Sequence, residues 1–137
     1  MISALQILKK YWNHNTFRAP QDQIIEAVTA NKNTIALLPT GGGKSICFQI
    51  PAILKEGICI VISPLIALMQ DQVDSLNSKG IKATTLPSGS SQEELITLFD
   101  NIRFGNYKFL YLSPERLQAN FIQEKIAVIA EREKIFE

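Results

Sequence analysis

No strong charge of either sign runs through this sequence: 14 Lys and Arg stand against 13 Asp and Glu, a formal net charge of +1 over 137 residues. Bulk charge therefore selects no polyanionic partner, and any nucleic-acid site must be local. Cysteine is scarce as well. Cys47 and Cys59 lie in apolar surroundings rather than at metal-ligand spacing, so the expected state is two buried free thiols in a reducing compartment. The start, Met1-Ile2-Ser3-Ala4-Leu5, lacks the basic residues and apolar core of a signal peptide. The longest apolar stretch, Ile58 to Met69, is broken by Ser63-Pro64 and is too short to span a bilayer. Internal repeats, low-complexity tracts and linker-like stretches are missing too. These absences lead us to expect a cytoplasmic protein with no membrane partner. The 46% hydrophobic and 20% charged content is that of an ordinary globular domain with a real core.

Periodicity orders the chain. Ile2, Leu5, Leu8 and Trp12 recur at helical spacing up to the break at Asn13–Thr16. Pro20 can open a second helix carrying Ile24, Ile25 and Val28. Thr34–Leu38 reads as a buried strand, Ile58–Ile62 and Tyr107–Leu112 as apolar strands, and Ile81–Leu86, which alternates in part, as a short strand. Helical patterns follow them: Ile46–Ile50, Leu65–Leu76 ending at Gly80, Leu95–Ile102, and a tail from Pro114 with Leu117, Phe121, Ile126 and Ile129 on one side. Strands alternating with helices predict an α/β fold, a three-layer parallel sheet of the P-loop kind with helices on both faces.

The segment Leu38-Pro39-Thr40-Gly41-Gly42-Gly43-Lys44-Ser45 sits between such a strand and helix, the context a phosphate-binding loop needs. Glycines lacking Cβ let backbone N–H groups close around phosphate oxygens, and the helix N-terminus adds its positive dipole end. Thr40, Gly41, Gly42 and Gly43 would form the cradle. Lys44 would reach the β- and γ-phosphates, and the Ser45 hydroxyl would ligate Mg²⁺. Leu38 stands where the strict pattern has a glycine.

Two junctions share a design, Ile62-Ser63-Pro64 and Leu112-Ser113-Pro114. Serine at the cap and proline at the first helical position is how helices commonly begin. Both junctions also fall at carboxyl ends of strands, where open α/β sheets place their ligands. Upstream, Gln21 offers the acceptor and donor pair that matches the N6/N7 edge of adenine. His14 can stack on the base and Arg18 can cover its other face. Each of these residues alone is also compatible with a solvated surface position.

In this order the segments resemble the RecQ family of DNA helicases. Trp12-Asn13-His14, Phe17-Arg18, Gln21 and the glycine loop resemble its opening; Val61–Val73 is similar to its motif Ia, and Phe109–Leu117 to its motif Ib. The likeness covers roughly residues 5 to 120. It implies ATP and Mg²⁺ as cofactors, with His14, Arg18 and Gln21 holding adenine, Lys44 as the catalytic lysine and Ser45 on the metal. It implies DNA as partner, both single strands and duplex junctions, with Ser63, Pro64, Ser113 and Arg116 along the strand path. Asn13 stands where the family usually has glycine, His14 where many members have tyrosine, and Gln70 at an often basic position. The resemblance divides the chain into an N-terminal helical segment with the adenine motif, 1–33, and a partial RecA-like ATP-binding domain, 34–137. Residues 118–137 contain no Asp-Glu-Ala-His run, the family's next motif. We therefore expect an N-terminal piece of a helicase, inactive alone, the alternative being a truncated, non-catalytic ATP- and DNA-binding module.

Overall fold

Ser3 starts the first helix because its hydroxyl accepts the N–H of Gln6 while the Gln6 side chain accepts the N–H of Ser3, a reciprocal capping box. The computed structural model describes residues 2–38, 43–87, 89–132 and 135–136, and the chain forms two compact units, Met1–Glu56 and Gly57–Glu137. In the first unit, α1 (Ala4–Ile7) runs directly into a π-helical turn over Leu8–Trp12, which Asn13 ends at φ 58°. Asparagine tolerates that left-handed conformation better than most residues. Helix α2 spans Gln21–Thr29 and α3 spans Lys44–Leu54. Their core is Ile7, Leu8, Ile25 and Ile50, flanked by Tyr11, Trp12, Phe17 and Ile46. Lys55 Nζ donates to the Val28 carbonyl at 3.0 Å and also to the Asn31 side chain, tying the end of α3 to the end of α2.

One expected element is absent. Thr34–Leu38 forms no strand, and Ile35 and Leu37 are 93% and 89% exposed. Its composition suits a buried strand, but a strand exists only through its neighbours' hydrogen bonds. None is formed to this segment among the described residues.

The second unit holds a four-stranded sheet in the order β2-β3-β1-β4: β1 is Ile58–Ile62, β2 Ala83–Thr85, β3 Phe109–Leu112 and β4 Ile135–Phe136. All pairings are parallel, so a crossover must join each pair of neighbours. These crossovers contain α4 (Ile66–Ser78), α5 (Gln92–Phe104), α6 (Pro114–Leu117) and α7 (Asn120–Arg132). Ile58, Ile60, Leu110 and Leu112 pack with Leu95, Phe99 and Ile102 of α5 and with Ile122 and Ile129 of α7. Alternation along β3 sends Phe109 and Tyr111 to the other face, where their rings lie 6.4 Å apart. β4 corrects the all-helical reading of the tail: Ile135 and Phe136 pair with Ile58 and Cys59. Gly80, at φ 83°, ends α4 as its helical pattern required, with Ile81 N–H donating to the Leu76 carbonyl. The outer edge of β2 is occupied by Asn77, whose amide donates to the Ala83 carbonyl and accepts the Ala83 N–H. A side chain thereby takes the place of an added strand, which blunts the edge against association.

Candidate functional site

In Met1–Glu56 the structure brings together Arg18, Gln21 and Gly43. Gln21 is 4% exposed. Its Oε1 accepts the Arg18 N–H at 2.9 Å and its Nε2 donates to the Gly43 carbonyl at 3.2 Å. A buried amide satisfied this way is held in one orientation. Gly43 is the N-cap of α3 at φ 75°, and a Cβ there would lie 2.2 Å from Gln21 Nε2 and 3.4 Å from Arg18 Nη2. Both the dihedral and the space demand glycine. Lys44 and Ser45 form the first turn of α3, with Lys44 exposed and Ser45 half-buried. His14 is exposed in the loop after the π turn. Thr40, Gly41 and Gly42 lie outside the described residues.

The donor set fits a triphosphate. The N–H groups at the start of an 11-residue helix, its glycine cap and an exposed ammonium are what phosphate oxygens require. Ser45 contributes a hard oxygen of the kind Mg²⁺ takes together with phosphates and water. Among the described residues there is no group of three His, Cys, Asp or Glu side chains able to hold a metal by themselves. Gly43→Ala is expected to break the Gln21–Gly43 bond and strain the cap, destabilising the chain by about 1–2 kcal/mol. Urea denaturation of both proteins measures this, and an unchanged midpoint would remove the tight-cradle argument.

In Gly57–Glu137 the carboxyl ends of β1 and β3 lie side by side, Ile62 opposite Leu112. Ser63 N–H donates to the Leu112 carbonyl at 2.9 Å. The two Ser-Pro junctions differ in detail. Ser113 behaves as expected: it is the N-cap of α6, its Oγ accepting the Arg116 N–H, with Pro114 in the first turn. Ser63 does not cap α4. Its Oγ accepts the Leu65 N–H two residues on, and the helix begins only at Ile66. Arg116 Nη2 donates to the Pro87 carbonyl, which also accepts from Ser90 Oγ at 2.9 Å. Beside these groups is a cavity of about 180 Å³, lined by Gln70, Thr85, Pro87, Tyr111, Ser113 and Arg116 among others.

A family model described as DEAD/DEAH box helicase matches residues 18–135. The chain belongs to the DEAD/DEAH box helicase family. Among relatives, the ATP-dependent DNA helicase RecQ of Bacillus subtilis is 49% identical over 115 residues, 83% of this chain and 20% of that protein. The probable ATP-dependent DNA helicase RecS of the same organism is 42% identical over 127 residues, covering 92% of this chain and 25% of the relative. The RecQ helicase of Synechocystis is 45% identical over 112 residues, or 82% and 23%. This helicase-family chain thus spans about a fifth to a quarter of the length of these relatives. No helix among the described residues is long and apolar enough to cross a membrane.

Two features of the helicase-family site were not foreseen. Cys47 lies one turn into α3 with Sγ 3.8 Å from the Gly43 carbonyl, and burial pushes its thiol up from the ordinary value. The Arg116–Pro87 bond joins segments 29 residues apart. The burial of Cys47 was expected from its apolar surroundings and is observed, but its contact with the Gly43 carbonyl was not, and Pro87 carried no signal beyond marking a turn.

Proposed function

We propose that this chain is the ATP- and DNA-binding part of the first motor domain of a RecQ-like ATP-dependent DNA helicase, an enzyme that unwinds duplex DNA. Residues 1–33 carry the adenine-recognition motif and 34–137 the partial RecA-like domain. His14, Arg18 and Gln21 hold adenine; Thr40 to Gly43 cradle the phosphates; Lys44 stabilises their charge; Ser45 ligates Mg²⁺. Ser63, Pro64, Ser113 and Arg116 face the DNA strand, including single strands at duplex junctions. We place the protein in the cytoplasm. The observation that carries the reading is the Gln21–Gly43 hydrogen bond, which supports a shared site for base and phosphate recognition from segments 22 residues apart. The membership of a helicase family and the names of the relatives support the motor assignment.

Adenine selectivity tests it. Guanine presents O6 where adenine presents N6–H₂, so an amide fixed in one orientation cannot serve both bases equally. The wild-type chain is expected to prefer ATP to GTP, and Gln21→Ala to narrow the gap by about 1–3 kcal/mol, read from competition titrations with a fluorescent ATP analogue. Equal affinities of the wild-type chain for ATP and GTP would sink the adenine reading.

A further inference from the structure

The amino-terminal end of the sheet in Gly57–Glu137 is chemically unlike the end that carries the Ser-Pro junctions. Two of the chain stretches there are residues 75–82, leading from α4's end to β2, and residues 101–108, leading from α5's end to β3. Neither stretch contains Asp or Glu, while together they supply Lys79, Lys82, Arg103 and Lys108. Lys82 Nζ donates to the Gly105 carbonyl at 2.7 Å and stands 5.4 Å from the Tyr107 ring centroid, which brings the two stretches together. Next to it, the Arg103 guanidinium lies 5.0 Å from the Phe104 ring centroid, and Phe104 is 66% exposed. Asp100 stands one turn earlier on α5 and is the carboxylate nearest in the chain.

Helix-end electrostatics accounts for part of this. Lys79 at the C-cap of α4 and Arg103 in the last turn of α5 oppose the negative ends of the helix dipoles, Lys79 donates to Ser75 Oγ, and Lys82 and Lys108 donate to the carbonyls of Gly105 and Gly57. It makes no use of Phe104, whose ring is two-thirds exposed and carries the Arg103 guanidinium. Nor does it require the Arg103 arm to lie on that ring, since its Nε is buried there with no hydrogen-bond partner, an arrangement that is unfavourable by itself. An exposed ring backed by a guanidinium, with the Lys82 ammonium at the carbonyl of the next residue, offers a base a stacking surface and phosphates a set of cations.

We propose that this corner is a second contact for single-stranded nucleic acid, a base stacking on the Arg103–Phe104 pair and neighbouring phosphates lying on Lys79 and Lys82. A single strand is the matching occupant because its bases are already unstacked, whereas a duplex would have to be opened to reach the ring. The 13 residues of α5 separate this corner from the Ser-Pro end of the sheet by about 20 Å. It is therefore a different site from the strand path proposed above, and it stands whether or not that path is correct.

The test is binding of fluorescein-labelled oligo-dT to the whole chain by anisotropy across a salt series. Phe104→Ala is expected to weaken binding about tenfold with the salt slope unchanged, and Phe104→Tyr to restore it. The double substitution Lys79→Gln with Lys82→Gln should flatten the salt dependence by about 1.4, two phosphates at roughly 0.7 each. Arg116→Ala reports on the other path, and its effect should combine additively with that of Phe104→Ala. Wild-type affinity and slope in both the Phe104→Ala and the double variant would overturn the proposal, as would a wild-type chain that does not bind oligo-dT. Binding of a poly-glutamate peptide, but not of oligo-dT, with sensitivity to Phe104→Ala would reassign the corner to an acidic protein partner.

Discussion

Lys44→Ala is expected to weaken triphosphate binding by about 2 kcal/mol, roughly thirtyfold, through loss of charge-assisted hydrogen bonds to the phosphates. The side chain is exposed at the first position of α3, outside the Ile7, Leu8, Ile25 and Ile50 core, so the fold should not change. Titration of a fluorescent ATP analogue against both proteins, with circular dichroism as the control for folding, gives the answer. Equal affinities would take the glycine loop out of the nucleotide site. The effect should be confined to ligands bearing the β- and γ-phosphates, because those are the groups the lysine reaches. Adenosine should bind both proteins alike.

The chain as given is expected to hydrolyse essentially no ATP, with or without DNA. A phosphoryl-transfer site of this kind uses an acidic residue to hold Mg²⁺, a group to orient the attacking water and an arginine finger on the developing charge. The sequence contains no Asp-Glu-Ala-His run, and the described residues bring no cluster of acidic side chains together that could replace it. An arginine finger is worth about 10³–10⁵ in turnover where a site uses one, so a site short of any of these parts is slow. Phosphate release measured with single-stranded DNA present should stay at background. Robust turnover abolished by Lys44→Ala would show that a complete hydrolytic site exists here and that the reading of an inactive part is wrong. Taken with the first prediction, the two outcomes separate binding from chemistry: the phosphate loop should hold nucleotide without turning it over.

Much of this could be read from the amino-acid order because it is local. Ser113-Pro114 caps and opens α6, Gly80 ends α4, and the unbroken apolar run of β3 matches a strand buried on both faces. Each of those signals acts within a few residues, where the chain's own sterics and hydrogen bonds decide the conformation. Thr34–Leu38 shows the limit. It resembles β1 in composition, yet only β1 has neighbours on both sides and is a strand. The same limit hid the short β4, whose identity is a pairing with Ile58 and Cys59 rather than a pattern of its own.

What the sequence by itself determined, then, is the set of chemical groups, the family likeness and the caps, turns and apolar faces that local physics dictates. Tertiary structure alone decided which groups meet. It set Gln21 against Gly43 across 22 residues and Arg116 against Pro87 across 29. It closed the outer edge of β2 with Asn77, and it brought Lys82 to the Gly105 carbonyl beside the Arg103–Phe104 pair across 23 residues. The physical reason is common to all of these. A hydrogen bond or a ring contact is fixed by distances of a few ångströms between atoms far apart in the chain, and no one-dimensional pattern encodes a distance until the core has packed.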